Sequence, residues 1–519
     1  MRAKYIALSY CWGPCPQVLT LKENIGIYRS NIPIETLSKT CRDAIRITHL
    51  LGYDYLWIDA ICIVQNDDGD KGPELGRMGQ IYRYAVLTIC VEASPGAHTG
   101  IFPDDWTDPC EVYPCEVTMK AETIGGTVAR RITVAGTRNG DDLLSKRGWT
   151  LQEAALTSRA LVFGQGVTSW RCASATASET DPVLKPLPLD PYSNDSDNLP
   201  YELTRSHGSS IEVARIRAWL YKFPATRQLA SSHLIEIEHP AFTAWYALIE
   251  GYSDRELTFV TDTLPAVQGI ATVLGDSLGT PYTMGLWSAD LSRGLLWYVA
   301  ANDDRHIMSS SAVLDALKIP SWSWAAVGKV RVRFCALRLV ADDWTPVNLA
   351  QISSVPESGP DPQGKWRLRV KGPTRMATLV LDNTFSEWRT SRTYGNRDAS
   401  ENEDRYAQIY TEGVYPRTSG FILDPGSVEN EVIGEAALDS FVKPRQVPSL
   451  TFSWKMEVLC AALQSWQSDD RKCWACLLLE PVNGDTCYRR LGIGFLYTGD
   501  SGNWLAGSHW ISSAVIHLV

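Results

Sequence analysis

The stretch YIALSYCWG, Tyr5–Gly13, decides the fold of this chain. Its apolar beginning predicts a buried strand, and the Gly13-Pro14 pair predicts a sharp turn directly after it. A second apolar run lies in YLWIDAICIVQND, Tyr55–Asp67, and predicts another strand over Leu56–Val64 that is covered on both faces. A helical pattern separates the two runs. Together they predict a βαβ unit with parallel strands.

Alternating apolar runs and helical patterns extend this prediction to an α/β N-terminal domain with a mainly parallel sheet over residues 1–175. Residues 176–205 are polar and rich in Ser, Asp and Pro, which predicts a linker or a long surface loop. Residues 206–318 have helical periodicity with aromatic anchors. Residues 319–519 alternate or run apolar as strands do, so we expect a β-rich C-terminal region.

Composition excludes several classes of protein. At 519 residues the chain is too long for one ordinary core, and its net charge of -10 argues against a broad nucleic-acid or anionic-membrane footprint. No apolar run approaches the ~18 residues of a membrane span, and the beginning lacks a signal-peptide pattern. We therefore expect a cytoplasmic protein. The 13 cysteines are scattered and odd in number, which predicts free thiols and no metal site.

The end of the first strand is a candidate ligand site. In an open parallel sheet, ligands bind beyond the carboxyl ends of the strands. The sequence brings Ser9, Tyr10, Trp12 and Gly13 to that edge, which supplies two hydroxyls, an indole and a glycine that permits close approach. The alternative is that Tyr10 and Trp12 only cover the core.

Asp59 interrupts an apolar run that should be buried. A buried carboxylate is costly, so it requires a partner or a raised pKa. Strand alternation would place it on one face with Trp57 and Ile61. Acid/base or cation-stabilising chemistry uses such a group, and a structural salt bridge explains it equally well.

RGWTLQE, Arg147–Glu153, carries a second carboxylate. Thr150 and Glu153 have the spacing of a capping box, so Glu153 either begins a helix or faces the site. Arg147 is suited to pair with Asp59 or to hold a phosphate at the helix N-terminus. Trp149 and Gln65 complete the predicted substrate-binding residues, although a solvated turn also explains Gln65.

Standard catalytic motifs do not occur in the sequence. It has no GxSxG elbow, P-loop, HExxH or GxGxxG. The usual hydrolase, kinase, zinc-protease and dinucleotide-dehydrogenase classes therefore lack their residues. A thiolate pair of Cys62 and His49 is less favoured than core packing of both side chains.

The chain resembles the fungal heterokaryon incompatibility (HET) domain family in five pieces that follow the family's order. Segments near Trp245–Ala271 and Pro320–Ala325 also resemble the C-terminal regions of long members. The chain departs from the usual pattern at Ala60 and at Gly69–Pro73. The five pieces are YIALSYCWG, the DAI of Asp43–Ile45, YLWIDAICIVQND, the MGQIYRYA of Met78–Ala85, and RGWTLQE.

The resemblance implies a role in non-self recognition and programmed cell death, and a fold like that of the Toll/interleukin-1 receptor domain. Some proteins of that fold cleave the nicotinamide ribosyl bond of NAD. By this resemblance Glu153 or Asp59 stabilises an oxocarbenium-like transition state, Arg147 holds a phosphate, and Trp12 or Tyr10 stacks on a ring. NAD is then a substrate, and no resident cofactor is implied.

Two other functions stay open. The chain is otherwise a non-catalytic recognition module that binds a protein partner or associates with itself. Alternatively it is a secondary-metabolite tailoring enzyme, in which Asp59, Glu153 and Tyr10 transfer protons to a small molecule held at the domain boundary.

Overall fold

The structure is a computed structural model that describes residues 3–102, 115–123, 126–134, 143–164, 167–179, 181–186, 213, 216–217, 220–221, 239–299, 318–335, 345–355, 360, 366–382, 419–423, 432–438, 453–467, 472–482, 487–497 and 511–519. The chain divides into two compact units. The first unit comprises Met1–Arg227, Arg255–Leu257 and Pro265–Ser277, and the second comprises the remainder. The HET-like motifs of the N-terminal third therefore lie in a unit that also includes two short segments from much later in the chain.

The first unit contains an α/β sheet. Its strands are β1 Ile6–Ser9, β2 Leu56–Trp57, β3 Leu87–Val91, β4 Cys115–Thr123, β5 Gly126–Val134, β6 Arg159–Phe163, β7 Thr168–Cys172, β8 Ala175–Ser178 and β9 Asp181–Pro186. Seven of them form one sheet in the order β2-β1-β3-β6-β7-β8-β9, and β4 and β5 form a separate pair. The pairs β1–β2, β1–β3 and β3–β6 are parallel, whereas β6 to β9 pair antiparallel. The predicted α/β domain is thus confirmed, with parallel pairing throughout the part of the sheet formed by β2, β1, β3 and β6.

The described helices are α1 Ile25–Tyr28, α2 Lys39–Leu50, α3 Asp59–Cys62, α4 Asp68–Tyr84, α5 Gly148–Leu156, α6 Pro240–Ser253, α7 Pro265–Leu278 and α8 Leu291–Gly294. Short 3-10 helices lie at Ile34–Thr36, Val260–Asp262, Ser288–Asp290 and Trp324–Val327.

Side-chain alternation along β1 sorts the helices onto two faces of the sheet. Leu8 and Tyr10 share a core cluster with Cys41 of α2. Ala7 packs on the other face, with Met78 of α4. The sheet is therefore covered on both faces, as the apolar strand sequence requires.

The predicted strand over Leu56–Val64 is wrong beyond Trp57. Asp59–Cys62 forms a helical turn instead, in which the Cys62 N–H donates to the Ile58 carbonyl at 2.7 Å. Polar side chains explain the difference, because the Asp59 carboxylate accepts from the Ala60 N–H at 2.7 Å and the Gln65 amide donates to the Asp59 carbonyl at 3.0 Å. The strand alternation expected for Asp59 does not apply.

Two further boundaries differ from the sequence predictions. The sequence pattern predicts a helix over Glu74–Tyr84, but this helix begins at Asp68, because the Asp67 side chain caps it and accepts from the Gly69 N–H at 3.1 Å. The polar stretch expected to be a linker begins with β8 and β9, which extend the sheet. The rest of that stretch lies outside the described residues. So does the stretch 391–404, whose charged and Gly/Asn-bearing sequence predicts a mobile excursion.

The second unit is rich in antiparallel strands. They are β10 Tyr282–Thr283, β11 Leu286–Trp287, β12 Trp297–Val299, β13 Val332–Phe334, β14 Thr345–Asn348, β15 Gln351–Val355, β16 Arg367–Asp382, β17 Ser419–Leu423, β18 Val432–Leu438, β19 Ser453–Gln467, β20 Lys472–Pro481, β21 Cys487–Tyr497 and β22 Ile511–Leu518. The last nine form one sheet, while β10–β11 and β12–β13 are separate pairs. The β-rich C-terminal region is confirmed.

Aromatic residues form much of the core around α6. Trp245 packs edge-on against Trp287, with ring centroids 5.3 Å apart, and Tyr246 stacks on Phe334 at 4.6 Å. In the part of the chain that the structure describes, no helix is long and apolar enough to cross a membrane.

Candidate functional site

The candidate site lies at the carboxyl end of β1. The chain leaves β1 through α2 to reach β2, then returns through α4 to β3 on the other side of β1. Because α2 and α4 cover opposite faces, β1 stands at the point where the sheet reverses its winding. Ligands in open α/β sheets bind at such a point.

Ser9, the last residue of β1, directly contacts Glu153 of α5. The Ser9 hydroxyl donates a hydrogen bond to Glu153 Oε2, and both side chains are buried, with 2% and 6% of their surfaces exposed. Tyr82 of α4 lies beside Glu153 and donates its own phenolic proton to the Leu8 carbonyl at 2.9 Å. The carboxyl group of Glu153 therefore accepts a hydrogen bond from Ser9 and has the Tyr82 hydroxyl as a neighbour.

The capping-box interpretation of Glu153 is wrong. The helix begins at Gly148 with Arg147 at the N-cap, so Glu153 lies in the interior of α5. The Thr150 hydroxyl donates backward, to the carbonyls of Leu144 at 2.5 Å and Arg147 at 2.7 Å. Because Glu153 does not cap the helix, its burial needs another explanation.

Asp59 follows β2 and reaches the turn after β1. Its Oδ2 accepts from the Trp12 indole N–H at 2.9 Å, and its Oδ1 accepts from the Ala60 N–H. Asp59 and Trp12 both keep part of their surfaces exposed. These two residues and Arg147 are the half-buried residues of the site, whereas Ser9 and Glu153 are buried.

Arg147 links the two carboxyl groups electrostatically. Its Nη1 donates to the main-chain carbonyl of Tyr10 at 2.9 Å, which fixes the guanidinium beside the end of β1. Among the described residues, neither Asp59 nor Glu153 has an ion-pair partner within 4.0 Å. The predicted direct salt bridge between Arg147 and Asp59 does not form, although the positive charge acts on both carboxyls.

Both carboxyl groups titrate near neutrality. Burial raises the pKa of Glu153 to about 7; the Ser9 hydroxyl and Arg147 oppose this, and the Asp59 charge adds to it. Burial likewise raises the pKa of Asp59 to about 6, against the opposing effects of the Ala60 N–H, Arg147 and Trp12. At pH 7 these pKa values leave Asp59 mostly ionised and Glu153 about half protonated.

Three other predicted residues have contacts within the protein. The Tyr10 phenol donates to Gln17 at 2.9 Å on the α2 face, and burial raises its pKa. The Gln65 amide closes the α3 turn through the carbonyls of Asp59 and Ile63. Gly13 has a positive φ of 74° and packs against Gly96, where a Cβ would lie 2.7 Å from the Gly96 Cα.

Trp149 is half-buried and packs beside Met78 and Tyr82 on the α4 face. The structure thus brings Ser9, Trp12, Asp59, Arg147 and Glu153 to one edge of the sheet.

Sequence reasoning missed Tyr82 and Arg255. Tyr82 is 1% exposed, donates to the Leu8 carbonyl at 2.9 Å and lies beside Glu153. Its helical spacing from Met78 was a usable signal, because both residues lie on one face of α4. Arg255 contacts the beginning of α5 from a distant part of the sequence, and no local pattern reveals such a contact.

A comparison with protein families identifies the domain. Residues 5–153 match the model of the heterokaryon incompatibility protein (HET) family. Residues 5–153 are therefore a HET domain, and this segment contains every candidate residue from Ser9 to Glu153. No curated protein and no solved structure matches the chain.

Proposed function

We propose that the HET domain hydrolyses the bond between nicotinamide and ribose in NAD, and that the chain acts through this reaction as a cell-death effector in fungal non-self recognition. The observation that carries the proposal is the buried carboxyl of Glu153, which accepts a hydrogen bond from the Ser9 hydroxyl and has no ion-pair partner among the described residues. Such burial costs stability, and sites of catalysis retain groups of this kind.

The chemistry suits a carboxylate pair. Nicotinamide leaves NAD as a neutral molecule, so its departure requires no proton donor. The ribose then carries developing positive charge, which a carboxylate in a partly dry site stabilises. Water attacks the ribose, the second carboxyl accepts its proton, and the products are nicotinamide, ADP-ribose and one proton.

The residues around the carboxyls supply binding groups. Arg147 is half-exposed at the N-cap of α5, and its guanidinium suits a phosphate. Trp12 is half-exposed and offers a ring face for stacking. The strand order with helices on both faces of β1 is compatible with the Toll/interleukin-1 receptor likeness, which belongs to the same proposal.

The test is release of nicotinamide from NAD by the purified full-length chain. Glu153→Gln, which has the same shape and no charge, should abolish release. Glu74→Gln, on the surface of α4 beside Arg77, is the matched control and should retain it. Absence of turnover by the wild-type chain, even at high protein concentration, would sink the hydrolase proposal.

A tailoring enzyme is the second candidate, and the pKa values of about 6 and about 7 favour it. A pair of carboxyls that both titrate near neutrality is suited to act as acid and base. Tyr10 would contribute only if its phenol left Gln17. A small-molecule substrate whose conversion requires Asp59 and Glu153, in a chain that leaves NAD intact, would support this candidate.

The third candidate is a recognition module without catalysis. Gly13, Tyr10 and Gln65 all make contacts inside the protein, as they would in a domain whose motifs serve stability. Retention of biological activity by Glu153→Gln in cells would favour this candidate over both enzymes.

A further inference from the structure

We infer that Arg255–Leu257, here named the strap, is a positioning element of the carboxyl site that holds Arg147 and the beginning of α5 in place for the reaction at Glu153. Along the sequence, the strap follows α6 and precedes α7, so it is beyond the segment that matches the HET family. It belongs to the first unit. The inference deepens the proposed function and rests on it for its kinetic consequence.

The main chain of the strap hydrogen-bonds to the residues on both sides of Arg147. The Gly148 N–H donates to the Glu256 carbonyl at 2.8 Å, and the Glu256 N–H donates to the Lys146 carbonyl at 2.6 Å. These bonds form a parallel β-bridge between Arg147 and Glu256. The backbone of Arg147 is thus held from before and after.

The side chain of Arg255 adds two contacts to the same segment. Its Nη1 donates to the Arg147 carbonyl at 3.2 Å and to the Thr150 hydroxyl at 3.1 Å, and the residue is 8% exposed. The N-terminus of a helix carries positive partial charge, so a cation there does not stabilise α5 through its charge. The hydrogen bonds, which fix the geometry of the helix start, explain the position of Arg255.

Gly148 allows the strap to lie close. A Cβ at Gly148 would be 2.8 Å from Leu257 Cγ, so a larger residue would push the strap away. The glycine in the RGWTLQE motif therefore has a role in this contact. Its partner, Leu257, lies far along the sequence.

The strap acts on the site through Arg147. The Arg147 guanidinium donates to the Tyr10 carbonyl from a backbone that is paired with Glu256. Its positive charge lowers the pKa of both Glu153 and Asp59. Loosening the strap should let the guanidinium move away, which raises both pKa values and weakens phosphate binding.

Arg255→Gln in the full-length chain tests the inference. The ionisation midpoint of Glu153 is read from the difference in unfolding free energy between each background and its Glu153→Gln partner, as a function of pH. We expect the midpoint to rise and kcat/KM for NAD at pH 7 to fall about tenfold or more, as small misplacements in active sites do. Arg255→Lys, which keeps a cationic donor, should restore most of both quantities.

Arg217→Gln is the matched control. Arg217 is equally buried at 8% exposed, and its Nη2 donates to the Ser158 carbonyl beyond the other end of α5 at 3.4 Å. The Arg217→Gln variant should have a lower unfolding free energy. Its Glu153 midpoint, and the pH dependence from which that midpoint is read, should be the same as in the wild type. Thr150→Val removes one acceptor of Arg255 and should shift the midpoint upward by less, which keeps the test decisive if Arg255→Gln does not fold.

The outcomes separate the two proposals. If Arg255→Gln and Thr150→Val leave the midpoint where it is in the wild type, the strap is only structural and the inference fails. If the wild-type chain releases no nicotinamide, the hydrolase proposal fails, and the midpoint alone then decides whether the strap positions the site.

Discussion

The Ser9 hydroxyl at the end of β1 donates a hydrogen bond to the Glu153 carboxyl in the interior of α5, 144 residues along the chain. Ser9 points to the α4 and α5 face of the sheet, because its neighbours Leu8 and Tyr10 point to the α2 face. The Glu153 carboxyl is buried, and no counter-ion lies within 4.0 Å of it among the described residues. Because burial raises its pKa to about 7, this carboxyl changes its charge near neutral pH.

The first prediction concerns stability and pH. The pKa of Glu153 is about 7 in the fold against 4.5 as its ordinary value, so the folded state binds the extra proton. The stabilisation from this proton is fully present below pH 4.5 and is lost as pH rises through about 7. Each pKa unit is worth about 1.4 kcal/mol. Relative to Glu153→Gln, the wild type should lose on the order of 3 kcal/mol across this range, measured by urea unfolding.

Glu74→Gln controls for the loss of a negative charge on the same unit. Its unfolding free energy should follow the wild type at every pH, because Glu74 lies at the surface of α4 beside Arg77. Parallel curves for the wild type and Glu153→Gln would contradict the buried, protonated carboxyl.

The second prediction concerns two neighbours of Glu153 with opposite charge. The Asp59 charge raises the pKa of Glu153, and Arg147 lowers it. Asp59→Asn should therefore move the Glu153 midpoint to lower pH, and Arg147→Gln should move it to higher pH. The side-chain carboxyl resonance of Glu153 in carbon NMR reports the midpoint directly. Shifts of the same sign in both variants would rule out this electrostatic arrangement.

Local patterns in the sequence were sufficient for β1 and α2, because an apolar run or a helical stripe with a clear stop determines each element. They failed at Asp59, where a turn held by side-chain hydrogen bonds replaced a strand. They also failed at Glu153, since Thr150 and Glu153 have capping-box spacing but the helix begins at Gly148. The strap and α7 complete the first unit from distant parts of the sequence. Such contacts depend on tertiary packing, which local patterns do not encode.

The third prediction compares two glycines with the same backbone conformation. Gly13 and Gly52 have φ of 74° and 76°, but a Cβ would lie 2.7 Å from Gly96 Cα at the first and within 4 Å of nothing at the second. Gly52→Ala should cost about 1 to 2 kcal/mol for the left-handed conformation alone. Gly13→Ala should lower the unfolding free energy by about 1 to 3 kcal/mol more than Gly52→Ala does, because the added Cβ displaces the turn from Gly96.

The displaced turn also carries Trp12, whose carbonyl accepts from the Ala97 N–H at 3.1 Å and whose indole binds Asp59. Gly13→Ala should therefore lower nicotinamide release while Gly52→Ala leaves it unchanged. Equal unfolding free energies in the two variants would show that the contact with Gly96 contributes nothing.

The fourth prediction tests whether α7 is an integral part of the first unit. The Gly269 N–H in α7 donates to Gln152 Oε1 at 2.7 Å, next to Glu153 in α5. A Cβ at Gly269 would lie 2.5 Å from that oxygen and 3.0 Å from the Cα of Gly79 in α4. The three helices meet where two glycines face each other, and no larger residue fits without separating them. Gly269→Ala should destabilise the chain by about 1 to 3 kcal/mol in urea unfolding.

Gly76→Ala provides the matched comparison in α4. Its position is exposed, and a Cβ there would have no atom within 4 Å. Alanine restricts the unfolded chain more than glycine does, so the unfolding free energy of this variant should rise by about 0.4 to 1 kcal/mol. The two substitutions are chemically identical. Changes of opposite sign in the unfolding free energy would therefore show that the constraint lies where the three helices meet. If Gly269→Ala were as stable as Gly76→Ala, α7 would not pack against α4 and α5 as described, and its place in the first unit would be lost.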